Sequence, residues 1–102
     1  MNKKSFLKMD KNKLHQQISK ATKAKLILED PIVKEAFDYL FDQYRTEIFN
    51  TSYKDHEQRQ VLWMAFNMLD KIKGHLVTVM ETGKLASSEL ENLIRQSDNG
   101  SV

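Results

Sequence analysis

Residues 55–83, DHEQRQVLWMAFNMLDKIKGHLVTVMETG, decide the fold. Within them Leu62, Ala65, Leu69, Ile72, Leu76 and Val79 are spaced 3, 4, 3, 4 and 3 residues apart. That spacing keeps their side chains on one stripe of a helix. Val61, Met68 and Met80 widen the stripe. The start is signalled by Ser52-x-x-Asp55, or by Asp55-x-x-Gln58 if the helix begins later. Either satisfies free N-terminal amides, and Asp55 and Glu57 suit the positive end of the helix dipole. Gly83 is the expected stop, because glycine readily takes the left-handed conformation that closes a helix.

One feature exceeds a single buried stripe. Projected at about 100° per residue, Trp63 and Met64 fall off the stripe and Phe66 sits at its margin. The first two turns are therefore apolar almost all round. Either another segment of the same chain covers the extra face, or Trp63, Met64 and Phe66 form a protein interface.

Upstream, Glu29-Asp30-Pro31 is the clearest punctuation. Proline disfavours helical geometry in the residue before it and suits the first position of a new helix, so Asp30 is the expected N-cap. The helix that follows runs to about Phe49, with Val33, Phe37, Leu40, Tyr44 and Ile48 as its apolar stripe and Ala36 and Phe41 beside it. Asn50-Thr51-Ser52 breaks it. So short a connection favours antiparallel neighbours, with Phe37, Leu40, Tyr44 and Ile48 facing Leu62, Leu69, Ile72 and Leu76. Before Asp30, a shorter helix is expected from Leu14, with Ile18, Ala21, Ala24 or Lys25, and Leu28 on one side. After Gly83, the capping-box pattern Ser88-x-x-Glu91 is expected to open a short last helix with Leu85, Leu90, Leu93 and Ile94 as contacts. The fold class is thus all-α: an antiparallel helical hairpin with a shorter N-terminal helix and a short C-terminal helix. Residues 1–13 are expected as a flexible basic arm, 14–96 as a single helical domain and 97–102 as a flexible tail.

The 102-residue length fits one domain. With the ends set aside, roughly 80 residues form only a modest core, in a size range where oligomerisation commonly adds stability. No cysteine is present, which excludes disulfides, thiolate metal sites and a cysteine nucleophile. No run of roughly 18 apolar residues is available for a membrane span.

Charge is unevenly placed. Residues 1–28 hold eight lysines against one acid, a net of +7, and residues 29–102 hold eight basic against thirteen acidic residues, a net of −5. Lys3, Lys4, Lys8, Lys11, Lys13, Lys20, Lys23 and Lys25 are suited to phosphates or to an acidic protein surface. Arginine is absent from this segment, which weakens a case for reading base edges.

Chemistry is sparsely signalled. Glu35, Asp38 and Asp42 share a helix ridge, but neither a Glu-x-x-His motif nor a glycine-containing calcium loop accompanies them. They read as a solvated face or a docking surface for lysines. Asp55, His56, Glu57 and Arg59 cluster where the central helix starts. Helix capping and an ion pair from Arg59 to Asp55, Glu47 or Asp42 account for them without catalysis. His15 and His75 stand alone. Gly74 lies inside the central helix, either at a close helix approach or on an exposed face. No phosphate loop, dinucleotide fingerprint or nucleophile motif is present. The expectation is a non-enzyme with no catalytic residue, no cofactor and no metal.

The order from Leu26 to Ala86 resembles a group of short, poorly characterised helical proteins of tailed bacteriophages. The features that carry the resemblance are Leu28-x-Asp30-Pro31, the aromatic second helix, the polar turn, the Asp55 to Arg59 step, the Leu62-Trp63 pair and Thr82-Gly83-Lys84. The resemblance implies a phage context, in the host cytoplasm or the virion, and brings no catalytic residue with it. The first expectation is a virion structural or assembly component that acts through protein–protein contacts, with a second copy or another phage protein as partner. The alternative is a DNA-associated packaging or regulatory accessory that uses the lysine-rich N-terminal segment for nucleic acid.

Overall fold

The computed structural model describes the backbone of residues 3–100 and the side chains of residues 11–97. The chain is all-helical, in the order α1 (Lys3–Glu29), α2 (Pro31–Asn50) and α3 (His56–Gly100). No strand occurs among the described residues.

Both breaks between helices follow from local chemistry. Asp30 is extended (φ −62°, ψ 124°), and its carboxylate accepts from the Ile32 and Val33 amides at 2.8 and 3.3 Å. Pro31 opens α2, where its missing N–H costs no hydrogen bond. At the far end Thr51 turns extended, its amide donating to Ile48 O and its hydroxyl to Glu47 O. Asp55 then caps α3 by accepting from the Gln58 amide at 3.1 Å. Of the two expected starts for the central helix, the later one is used.

Two element boundaries differ from expectation. α1 spans 27 residues and begins at Lys3, so the first helix is not short. Its lysine-rich beginning contains no proline or glycine, and Lys, Leu and Met are good helix formers. The second difference is at Gly83. α3 does not stop there but runs on for a total of 45 residues, so no separate C-terminal helix exists and Ser88 lies inside α3. No glycine among the described residues has a positive φ. Gly83 is buried beside α1: a Cβ built on it would overlap the Ala21 Cβ and stand 3.1 Å from Gln17 O. Glycine here permits close approach of two helices rather than closing one.

The chain falls into two compact units, Met1–Leu26 with Val77–Val102, and Ile27–Leu76. The first unit is packed through small residues. Ala21, Ala24, Gly83 and Ala86 are buried, together with Leu14. Ile18, Met80, Leu90 and Leu93 are half-buried around them. Leu85, expected among the contacts, is instead 73% exposed.

The second unit is packed through aromatic and branched residues. The expected α2 stripe of Val33, Phe37, Leu40, Tyr44 and Ile48 is half-buried throughout, as is Phe41. From α3, Leu62 is buried, and Ala65, Phe66, Leu69, Lys73 and Leu76 are half-buried. Phe41 meets Phe66 edge-on at 5.3 Å between ring centroids, and Lys73 Nζ lies 5.7 Å from the Phe41 centroid. Half-buried Lys73 thus occupies the covered side, with its amine over a ring. Ile72, expected on the covered stripe, is instead 54% exposed.

Candidate protein-interaction surface

The cap at Asp55 sets which α3 side chains leave the α2 contact. Arg59 lies one turn into the helix. Its guanidinium donates to Ser52 O at 2.8 Å and ties the first turn of α3 to the connection before it. From this start, Leu62, Ala65 and Phe66 turn inward, and Trp63 and Met64 turn outward.

The three residues singled out from sequence part company. Phe66 is half-buried and holds the edge of Phe41, so it belongs to the α2–α3 contact. Trp63 is 48% exposed, its ring 5.8 Å from Phe66 and edge-on to it. Met64 is 61% exposed. To Met64 the structure adds Val61, Met68 and Ile72, which the sequence pattern assigned to the buried stripe. Val61, Met64, Met68 and Ile72 are each between 54% and 65% exposed. Their spacing of 3, 4 and 4 residues makes them one continuous apolar face along α3.

This face is concave at its C-terminal end. Met68, Lys71, Ile72, His75 and Leu76 line an open groove of about 390 Å³. Four exposed large apolar residues in a row form a contiguous strip rather than scattered single exposures. The signal was present in the sequence. Glu57, Val61, Met64, Met68, Lys71 and His75 follow a second 4, 3, 4, 3, 4 spacing, phased differently from the stripe that packs on α2.

The remaining candidate residues lie elsewhere. Lys13, Lys20, Lys23 and Lys25 are exposed on α1 and Lys11 is half-buried, while the side chains of Lys3, Lys4 and Lys8 lie outside the described residues. Lys13 borders a small cleft with Leu14, Gln17 and Glu89. Glu35, Asp38 and Asp42 are exposed on α2. Among the described residues, no group of three or more His, Asp or Glu is placed to hold a metal ion. No described helix is long and apolar enough to cross a membrane. Gly74 has nothing within 4 Å of a built Cβ, which places it on an exposed face.

No protein-family model matches this chain, no curated protein matches its sequence, and no solved structure matches its fold.

Proposed function

We propose that this chain is a non-enzymatic association module, a structural or assembly component that works through helix–helix contacts with further copies of itself. The observation that carries this reading is the uncovered apolar face Val61–Met64–Met68–Ile72. It lies in a unit where Leu62 is the buried apolar side chain and α2 contributes none. So small a core is below what an isolated helical unit of about 50 residues ordinarily needs, and association is the common remedy.

In this reading, α2 and the first half of α3 form an antiparallel hairpin. The Phe41–Phe66 and Phe41–Lys73 contacts support that direction. So does the cleft near the connection, where Glu47, Asn50 and Thr51 meet Gln58 and Leu62. The hairpin is the rigid element and its outer α3 face is the adhesive one. Met64 belongs to that face, and Trp63 is exposed on another side of α3. The resemblance over residues 26–86 gives the setting, a tailed-phage protein in the host cytoplasm or the virion.

Sedimentation velocity across a range of protein concentrations tests the reading. Wild type is expected to associate, with a melting temperature that rises with concentration. Met64→Asp places a charge in the face and is expected to shift the protein toward monomer. Wild type that remains monomeric at every concentration, with a constant melting temperature, would sink the proposal.

A further inference from the structure

The second spacing on α3 also says which partner fits, and in which direction. We propose that the partner on this face is a second copy of the same face laid antiparallel, with the two-fold axis level with position 66 along α3. This inference rests on the association reading above and adds the pairing of the face with itself, the direction and the register.

The argument is one of charge order along a single stripe. Glu57 and His75 are 18 residues apart, which at about 3.6 residues per turn puts them on the same side of α3. Between them lie Val61, Met64, Met68 and Lys71, spaced in the same phase. The stripe therefore reads acid, three apolar residues, then two basic-type residues. Glu57, Lys71 and His75 are all exposed.

Such an order is self-complementary only when reversed. Parallel copies would set Glu57 beside Glu57 and Lys71 beside Lys71, like charges that destabilise a helix contact. Antiparallel copies about an axis at the level of position 66 pair Glu57 with His75, Val61 with Lys71 and Met64 with Met68, each pairing made twice. The Lys71 stem then covers Val61, and its amine lies one turn from the partner copy's Glu57. The two helix dipoles also oppose each other in this arrangement. A closed two-fold pairing of one patch with itself is the commonest form of homo-oligomer. The groove of Met68, Ile72, His75 and Leu76 would receive the N-terminal end of the partner copy's stripe.

Charge reversal tests direction and register together. Glu57→Lys and Lys71→Glu are prepared as full-length single variants, and self-association is measured by sedimentation at low salt. Each alone sets like charges together at both symmetric sites and is expected to weaken association by about tenfold, a change of roughly 1.4 kcal/mol. An equimolar mixture of the two variants restores opposite charges at both sites, and a mixed dimer of near wild-type affinity is expected. Helicity of each variant, followed by circular dichroism, separates a lost contact from a lost fold. Weakening of each variant alone together with restoration in the mixture carries the inference, because parallel copies would also gain opposite charges in the mixture but would be no weaker as single variants. Association that is broken by Met64→Asp but indifferent to both charge reversals keeps the association reading and overturns the antiparallel copy. Weakening by both variants without rescue in the mixture also overturns it. A monomeric wild type removes the reading on which it rests.

Discussion

The two units of this chain close the same kind of helix contact with opposite materials. In the unit made from the two ends of the chain, Ala21 meets Gly83, and Ala24 and Ala86 are buried as well, Ala86 only 2% exposed. In the unit of residues 27–76, Phe37, Phe41, Tyr44 and Phe66 fill the contact, yet Leu62 is its buried apolar residue. Small side chains let backbones approach and bury what little surface they have. Large rings hold helices apart and leave their own edges, and the helix faces beside them, uncovered. The difference predicts how each unit fails. One should tolerate truncation and resist enlargement, and the other the reverse.

The largest expected effect is truncation in the ring-packed unit. Leu62→Ala removes its most buried side chain, 6% exposed in the native structure, and leaves a gap that flanking rings cannot collapse into freely. A loss of about 2–5 kcal/mol is expected, read by urea denaturation at a fixed protein concentration. A loss below about 1 kcal/mol would mean that the α2–α3 contact is too loose for the comparison to hold.

Enlargement in the small-residue unit comes next. Gly83→Ala adds one methyl group where the built Cβ overlaps Ala21 and crowds Gln17 O. The helices must separate, at a cost of about 1–3 kcal/mol, although alanine is the better helix former. Pairing it with Ala21→Gly is expected to recover part of the loss, because the clash is with that side chain. A double variant no more stable than the sum of the two singles would place the strain on backbone instead.

Gly83 is also where the fold was hardest to read from sequence. The α2 stripe was legible because its period has one meaning: Val33, Phe37, Leu40, Tyr44 and Ile48 are all partly covered. The breaks at Asp30-Pro31 and Asn50–Asp55 were legible because a proline and short polar caps have narrow backbone preferences. Glycine has two meanings, helix end and close approach, and only a neighbouring helix separates them. One sequence signal did favour the second. The spacing through Leu76 and Val79 continues in phase to Gly83, Ala86, Leu90 and Leu93. At the candidate surface, Met64 and Trp63 were legible as off the main stripe. Val61, Met68 and Ile72 were not, because an apolar residue beside a buried stripe looks like part of it until a partner helix fixes which side is covered.

The smallest expected effect has the opposite sign and sharpens the comparison most. Gly74 and Gly83 lie nine residues apart in the same helix, and both have ordinary helical φ. A Cβ at Gly74 meets nothing within 4 Å, whereas one at Gly83 collides with Ala21. Gly74→Ala therefore changes only the backbone entropy of the unfolded chain and the intrinsic helix preference, and is expected to stabilise by about 0.5–1 kcal/mol. The same substitution at Gly83 gains the same intrinsic preference and loses more through the clash. Measured side by side in urea, the two variants should move the midpoint in opposite directions. If both stabilise, α1 does not approach α3 closely at Gly83, and the small-residue packing of that unit is wrong. If both destabilise, the Gly74 face is covered in the associated protein, and the extent of the contact between copies must be drawn wider than the 57–75 stripe.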